Sequence, residues 1–458
     1  MIPSSSEGSI KLDEIRSLAR REGADIGFQE DISPLWDPLD TGELILPNRV
    51  AIQPLEAADA DVEGSPTRYT LGRYLGYAEG CAGLIWFEAC SVDFPQARTH
   101  ESMLVIKEDN LEKFKRLVER VKERSHRSLA EAGFSGVAPL VLQLSHGGRF
   151  RKERSTDSPV IVNSIPELDE ACGISGGVGR VISDEELEEL RVAYVKAASL
   201  AVRAGFDAVD VKACHGYLLN ELLASFTREG RHGGEAFENR SRFLLETISD
   251  IVDETDIAVT SRMSAYDGVP YPYGFGVSRE HSDGLPGFNA SEPIKVLREM
   301  QREGVKLVNI SIGNPYICPF VSRPFAAAGV GGGNEHPIKG VERHFKVVEE
   351  LKQAVPKMIF VGSGYSWLRN CSLNAAAYNI ISGSVDVAGW GRLAIANSGF
   401  PLEAYRKGEI SPKKVCTSCS ACIELLRSET RVGCVVHDEK ASHRYQKMRA
   451  RSHTRRRG

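Results

Sequence analysis

Three side chains that can donate protons or bind an oxygen anion follow one short apolar run in the middle of the chain. Lys212, His215 and Tyr217 come directly after the alternating run 206–211, and Gly216 marks a turn between them. The alternation predicts a buried strand that ends at Lys212. In a barrel of parallel strands, catalytic groups lie at the carboxyl ends of the strands. These three residues are therefore candidates for acid–base chemistry, since a core strand rarely tolerates an unpaired lysine.

Apolar runs that predict strands are spaced along the chain with helical patterns between them. The eight runs end near Gln53, Glu88, Leu144, Lys212, Arg262, Ser311, Gly362 and Gly389. Apolar residues recur at helical spacing in 111–121 and 345–351, and Ser183-Asp184-Glu185-Glu186 predicts a capped helix start. Eight strand–helix units predict an α/β fold, a (β/α)8 TIM barrel. The alternative, a doubly wound sheet, lacks a G-x-G-x-x-G motif after an early strand.

Four segments differ in composition. We expect an N-terminal extension over 1–40, a barrel over 41–408, a cysteine-rich extension over 409–438 and a basic, disordered tail over 439–458. Three long insertions follow predicted strand ends, after Leu144, from Tyr266 to Gly287 and from Gly313 to Gly340. Loops of this length are usually functional, so we expect extended loops over the active-site mouth at the C-terminal face.

Composition favours a soluble enzyme. The 458 residues are 42% hydrophobic and 26% charged, and the net charge of −5 gives no electrostatic case for binding nucleic acid or a membrane. No uncharged apolar run approaches the roughly 18 residues of a membrane span. Ten cysteines in such a chain indicate reduced thiols. We therefore expect a cytoplasmic enzyme for a small-molecule substrate, and a homo-oligomeric state is compatible with this composition.

The stretch from Gly205 to Asn220 resembles the fourth barrel strand of the Old Yellow Enzyme family of FMN-dependent oxidoreductases, usually V-E-I-H-x-A-(H/N)-G-Y-L-L. Other family motifs have counterparts in the same order. These are Leu46-Pro47-Asn48-Arg49-Val50 with Gln53-Pro54-Leu55, Gly83–Ala89, Gln143–Arg149, Glu238–Phe243 and Gly391-Arg392. The resemblance covers roughly residues 40 to 405. It implies an NADH:flavin oxidoreductase barrel related to ene-reductases, dienoyl-CoA reductase and trimethylamine dehydrogenase.

FMN needs hydrogen-bonding groups along its pyrimidine edge, a positive charge near N1 and backbone N–H groups around its phosphate. Gln143 at the end of the third strand and Arg262 at the end of the fifth suit the first two needs. Glycine turns after the seventh and eighth strands suit the phosphate. With the resemblance, the expected FMN-binding residues are Pro54, Leu55, Ala89, Gln143, Arg262, Ser363, Gly364, Gly391 and Arg392.

The resemblance also implies the reaction. Lys212 and His215 occupy the two positions that hold the carbonyl or carboxylate oxygen of the substrate, and Tyr217 matches the proton donor to carbon. NADH or NADPH would be the reductant, and an α,β-unsaturated carbonyl or carboxylate compound would lose its C=C bond. Two departures stand out. Lys212 replaces the usual histidine and would favour an anionic oxygen, and Glu56 replaces the threonine that contacts flavin O4.

Two other functions stay open on sequence grounds. The same barrel could oxidise an amine, as the dehydrogenase and demethylase branch of the family does. In a different class, a flavin-free barrel lyase or isomerase could use Lys212 to form a Schiff base. Gln143, Arg262 and Tyr217 would have no role in that second chemistry.

The four cysteines of the extension form a further candidate site. Cys416-x2-Cys419-x2-Cys422-x11-Cys434 resembles the [4Fe–4S] ligand set of the dienoyl-CoA reductase branch, although that branch has three residues between its second and third cysteines. Thiols with this spacing suit an iron–sulfur cluster or Zn²⁺. A cluster, zinc and a relic without metal all remain open.

Overall fold

The computed structural model describes residues 10–151, 158–172, 174, 179–280, 284–326 and 333–455. The described chain begins with helix α1 (Leu12–Arg21), and an antiparallel pair, β1 (Leu39–Asp40) and β2 (Ile45–Leu46), precedes the barrel. Ile10 exchanges hydrogen bonds with the Asn370 side chain at 3.0 and 2.9 Å. The N-terminal extension is thus attached to the outer layer of the barrel.

Eight parallel strands close into a barrel, which confirms the predicted fold. They are β3 (Val50–Ile52), β4 (Leu84–Ser91), β5 (Leu140–Ser145), β8 (Ala208–Val211), β9 (Ala258–Tyr266), β10 (Leu307–Ile312), β11 (Ile359–Gly362) and β12 (Val387–Trp390). Each pairs with the next, and β12 pairs with β3 to close the ring. The eight apolar runs recognised in the sequence correspond one to one with these strands.

Helices follow the strands around the outside. The long ones are α2 (Arg68–Glu79), α3 (Leu111–Ala132), α5 (Asp184–Ala204), α7 (Phe237–Glu254), α8 (Ser291–Arg302), α10 (Pro337–Ala354) and α11 (Ser372–Ile381). The predicted capping box is present at α5, where Ser183 Oγ accepts from the Glu186 N–H at 3.1 Å and the Glu186 carboxylate accepts from the Ser183 N–H at 3.0 Å. Gly205, with φ of 90°, ends this helix.

The apolar core has two layers, because barrel strands bury both faces. One lies between strands and helices, where α3 buries Leu111, Phe114, Leu117, Val118 and Val121. The other fills the amino-terminal half of the barrel interior with side chains such as Trp86, Val141 and Val387. The filled lower half leaves the carboxyl ends of the strands as the place for a pocket.

The insertions contain short elements of their own. After β5 come β6 (Val160–Ile161), α4 (Pro166–Ala171) and β7 (Arg180–Val181), while residues 152–157, 173 and 175–178 lie outside the described part. Arg149, fully buried, forms ion pairs with Asp169 and Glu221 and so attaches this insertion to α6 (Leu218–Leu223). The insertion after β10 contains α9 (Pro319–Ser322).

The C-terminal part packs on the barrel through α12 (Arg392–Ala396), α13 (Phe400–Lys407) and α14 (Ala421–Arg427). The expected disordered tail is wrong as far as residue 455, because the chain forms helix α15 (Glu439–Arg455). Tyr445 Oη donates to Glu424 Oε2 at 2.8 Å, and Ala441 is fully buried. The helix is held by polar contacts to α14 that its own composition does not reveal. Among the described residues, no helix is long and apolar enough to cross a membrane.

Candidate active site

A pocket opens at the carboxyl ends of the barrel strands. Each strand contributes a lining residue from its middle, from its carboxyl-terminal part or from just beyond its end, namely Gln53, Ala89, Gln143, Lys212, Arg262, Ser311, Ser363 and Gly389. All the residues predicted for FMN and for catalysis line this one pocket: Pro54, Leu55, Ala89, Gln143, Lys212, His215, Tyr217, Arg262, Ser363, Gly364, Gly391 and Arg392. The structure therefore brings the complete predicted set together.

A buried carboxylate fixes the orientation of Gln143. Asp210, in β8, accepts from Gln143 Nε2 at 2.6 Å and from Trp86 Nε1 at 2.8 Å through the same oxygen. Its other oxygen accepts from the backbone N–H of Arg262 at 2.6 Å. Burial raises the pKa of Asp210 to about 6, and these hydrogen bonds oppose the rise. The Gln143 amide keeps one N–H and its oxygen for a ligand in the pocket.

Arg262 is a buried cation, and its guanidinium group makes few hydrogen bonds within the protein. Its Nη1 donates to the Pro54 carbonyl at 3.4 Å, and within the described residues its Nε has no hydrogen-bond partner. Burial lowers the pKa of Arg262, and the nearby Cys214 and Asp210 oppose that shift. A buried, unsatisfied guanidinium N–H is costly. An electron-rich heterocycle edge in the pocket would satisfy it, so this position fits the flavin.

Two guanidinium groups of the same pocket lie near enough to repel each other. Arg392 donates from Nη2 to the Pro324 carbonyl at 2.8 Å, and Arg323 also lines the pocket. Burial, with the positive charges of Arg392 and Arg427, lowers the pKa of Arg323 to about 9. Such repulsion is relieved by an anion between the groups. Beside them Gly364, with φ of 97°, begins a turn, so this part of the pocket fits the FMN phosphate.

Sequence reasoning did not find Arg323. It lies in the long insertion after β10, outside the motifs that carry the family resemblance. A cation in a loop that follows a barrel strand is a weak signal, and only its burial beside Arg392 makes it significant.

Lys212 and Tyr217 contact each other and a third residue, Glu56. The Lys212 Nζ lies 3.4 Å from the centre of the Tyr217 ring and 3.5 Å from Glu56 Oε1. The Tyr217 hydroxyl donates to the same carboxylate oxygen at 2.7 Å. We call Lys212, Glu56 and Tyr217 the charged triad. Of these three residues, Glu56 was noted in the sequence only as a departure from the family pattern.

Burial and partners set the protonation states of the triad. Burial raises the pKa of Glu56, but its contact with His100, the Lys212 charge and the Tyr217 hydroxyl outweigh this and lower it to about 2. Burial lowers the pKa of Lys212, and Glu56 opposes that shift. Burial and the Glu56 charge raise the pKa of Tyr217 well above its usual value. At neutral pH Glu56 is therefore ionised and the Tyr217 phenol keeps its proton.

His215 faces the same pocket from a strained turn. Its φ is 66°, an uncommon value for a residue with a side chain. The following Gly216 also has positive φ, and a Cβ there would lie 2.4 Å from the Asn314 amide. Burial, with the charges of Arg262 and Lys212, lowers the pKa of His215 well below its usual value. His215 is thus a neutral imidazole that can donate one hydrogen bond.

Aromatic rings form one wall of the mouth. Phe150 stacks on Tyr316 with ring centres 3.7 Å apart, and it also meets Tyr217 at 6.0 Å. Phe150 comes from the 3-10 helix Gly148–Phe150, and Tyr316 comes from the insertion after β10. Sequence reasoning missed this wall because its members lie far apart along the chain.

The cysteine-rich extension reaches the mouth of the pocket. Cys422 and Arg427 of α14 are lining residues, and burial raises the pKa of Cys422 to about 12. All ten cysteines are free. In the ranges that the structure describes, no three His, Cys, Asp or Glu side chains form a set that could hold a metal ion. A metal at Cys416, Cys419, Cys422 and Cys434 stays a prediction from spacing, which iron, sulfide and zinc analysis of anaerobically purified protein tests.

Known structures share this fold. Morphinone reductase aligns with a TM-score of 0.60 at 24% identity, covering 82% of this chain and 89% of that one. A 2-naphthoyl-CoA reductase complex aligns with a TM-score of 0.70 at 18% identity, covering 91% of this chain and 58% of that one. At these identities the likeness concerns the fold alone.

Relatives found by sequence comparison identify the family of the chain. The NADH oxidase of Thermoanaerobacter brockii is 28% identical over 387 residues, which are 83% of this chain and 52% of that protein, so the chain spans about half of its length. The NADPH dehydrogenase of Bacillus subtilis (strain 168) is 28% identical over 283 residues, 61% of this chain and 73% of that enzyme. The profile of the NADH:flavin oxidoreductase / NADH oxidase family matches residues 34–274. The chain therefore belongs to this Old Yellow Enzyme-like family, with FMN as its cofactor.

Proposed function

We propose that this protein reduces the C=C bond of α,β-unsaturated carbonyl or carboxylate compounds with electrons from NAD(P)H. One observation carries the proposal. Lys212, His215 and Tyr217 line the same pocket as Gln143 and Arg262, so oxygen-binding groups and a proton donor face the site that fits the flavin. When bound, FMN supplies the hydride that it has received from NAD(P)H.

Each of the three residues has a role in this reaction. Lys212 and the neutral His215 donate hydrogen bonds to the substrate oxygen and draw electron density from the conjugated C=C bond. A hydride then adds to the β-carbon, and Tyr217 gives its proton to the α-carbon. The phenolate regains a proton from solvent, which closes the balance of atoms and charge.

The remaining pocket residues hold the cofactor in this proposal. Gln143 and Arg262 bind the pyrimidine edge, and the second also stabilises negative charge near N1. Three residues, Pro54, Leu55 and Ala89, would contact the flavin ring system. The backbone groups and side chains of Ser363, Gly364, Gly391 and Arg392 would hold the phosphate, and Arg323 would add a second cation.

Amine oxidation on the same barrel is a second candidate, favoured by the buried Glu56 carboxylate, which could hold a substrate ammonium. Lys212 already neutralises this carboxylate at 3.5 Å, so we place amine oxidation behind C=C reduction. The flavin-free Schiff-base alternative is wrong, because the chain belongs to a flavin oxidoreductase family.

Anaerobic half-reactions test the proposed function. The purified protein is reduced with NADPH or NADH, and flavin bleaching is followed near the roughly 450 nm absorbance of an oxidised flavin. The reduced protein is then mixed with 2-cyclohexenone or cinnamate, the oxidised protein is mixed separately with trimethylamine, and the products are examined by mass spectrometry. We expect reoxidation by an unsaturated compound with a gain of two hydrogens. Oxidation of the amine by the oxidised enzyme, with no product from either unsaturated compound, would reverse the order of the two candidates.

A further inference from the structure

Glu56 occupies a position that catalysis as described above does not use. It follows Gln53-Pro54-Leu55 at the end of β3, and its side chain is 11% exposed. One oxygen accepts from Tyr217, and the other lies 3.3 Å from Thr99 Oγ1 and 3.5 Å from His100 Nε2. The carboxylate is thus surrounded by polar partners at the wall of the pocket, where substrate oxygen is expected.

The segment that carries Glu56 is held firmly. The N–H of the next residue, Ala57, donates to Glu88 Oε2 at 3.0 Å. Arg73 forms ion pairs with both Glu88 and Asp59 beneath it. This buried network fixes the main chain beside Glu56, and the carboxylate can withdraw from Lys212 only by giving up its contacts with Tyr217 and Thr99.

The pairing changes what Lys212 can bind. A free ammonium in the pocket would attract a carboxylate, which is the basis of the sequence expectation that Lys212 favours an anionic substrate. In the structure Glu56 supplies that negative charge within the protein. A substrate carboxylate beside Lys212 would also lie beside Glu56, and like charges at such distances are strongly unfavourable in a buried site. A neutral carbonyl oxygen accepts a hydrogen bond from Lys212 without that repulsion.

The other cations of the pocket have partners or proposed roles of their own. Arg262 lies in β9 with its Nη1 donating to the Pro54 carbonyl at 3.4 Å, and Arg323 and Arg392 line the part of the pocket where the cofactor phosphate is proposed, although the charges of Arg262 and Arg323 also act on His215. Arg427, on α14, is exposed and donates to the Pro315 carbonyl at 2.9 Å. Lys212 is the lysine or arginine cation that pairs with Glu56, and it is one of the two residues proposed to hold the substrate oxygen.

We propose that Glu56 is a specificity-determining residue, which as the counter-ion of Lys212 selects uncharged carbonyl acceptors and excludes carboxylates. This inference rests on the proposed function and narrows its substrate class.

Binding of a matched pair of probes to the oxidised, FMN-loaded protein tests the inference. Cinnamate and cinnamamide have the same ring and C=C bond and differ only in carboxylate against neutral amide. Dissociation constants are measured from the change in flavin absorbance, without reductant. We expect cinnamamide to bind at least about tenfold more tightly than cinnamate, a difference of about 1.4 kcal/mol. In Glu56→Gln, cinnamate should gain at least about tenfold while cinnamamide changes little.

Two further variants separate charge from shape. Glu56→Asp keeps the negative charge and should keep the preference for cinnamamide. Glu63→Gln removes an equal charge from an exposed residue that pairs with Lys107 at 3.6 Å, and it should leave both constants unchanged. If Glu56→Gln fails to retain FMN, the test uses the ratio of the two dissociation constants in the natural protein and in Glu56→Asp. Equal binding of both probes then overturns the role of Glu56.

The outcomes distinguish this inference from the proposed function. Equal binding of both probes in the natural protein, or cinnamate binding that does not respond to Glu56→Gln, overturns the role of Glu56 even if enones are reduced. A preference for cinnamamide that disappears in Glu56→Gln supports the role of Glu56. Failure of the protein to reduce any unsaturated compound would then count against the proposed reaction alone.

Discussion

Replacing Tyr217 by Phe removes one hydroxyl and leaves the rest of the aromatic side chain in place. The ring can still contact Lys212 Nζ, now 3.4 Å from its centre, and can still meet Phe150. What disappears is the proton that the hydroxyl donates to Glu56 Oε1 at 2.7 Å in the resting site. The variant therefore tests the proton rather than the shape of the pocket.

The two half-reactions should respond differently to this change. Hydride transfer from NAD(P)H to FMN requires no proton donation to carbon, so flavin reduction should stay within about threefold. Reoxidation by an enone requires that proton, and one general acid typically contributes about 10²- to 10⁴-fold in rate. The free energy of unfolding should fall by roughly 1.5–3 kcal/mol, because a buried hydrogen bond to a charged acceptor is lost.

Stopped-flow absorbance under anaerobic conditions measures each half-reaction separately. Equal losses in flavin reduction and in enone-dependent reoxidation would refute the reasoning, since Tyr217 would then position the flavin or the nicotinamide. Unchanged reoxidation would refute it as well, because another group would supply the proton. The thermal unfolding midpoint and the flavin content of the variant show whether the fold is intact.

Three other predictions follow from the described contacts. Arg262→Ala should lower the flavin content or the rate of flavin reduction, and full occupancy with unchanged rates would exclude the proposed contact. Because the pKa of Glu56 is lowered from 4.5 to about 2 on folding, its ionisation contributes about 3 kcal/mol of stability above roughly pH 4.5, and this is lost as the pH falls towards 2. Glu56→Gln should therefore flatten the fall in unfolding midpoint between pH 5 and pH 3, and identical profiles would contradict the assignment. Ala441→Glu should detach helix α15 and speed trypsin cleavage within 439–455, whereas the same substitution at the exposed Gln446 should not; equal cleavage in both variants would show that the buried face does not hold the helix.

Local patterns in the sequence were sufficient to predict the barrel fold. Strand alternation and apolar helix stripes act over a few residues, and the capping box at Ser183 joins side chains three positions apart. Such short-range signals predict where elements begin and end. Because parallel strands in a barrel end at the same face, the strand ends also predicted which residues meet, and Gln143, Lys212 and Arg262 do line one pocket.

Contacts between distant segments were decided only by the tertiary structure. Glu56 meets Tyr217 across 161 positions, and Arg323 meets Arg392 across a loop without a motif. The basic helix α15 exists because Glu424 and a buried contact at Ala441 stabilise it, although its own residues offer little apolar surface. A sequence pattern reports the preferences of neighbouring residues, whereas the charge and protonation of a buried group depend on whatever the closed barrel brings against it.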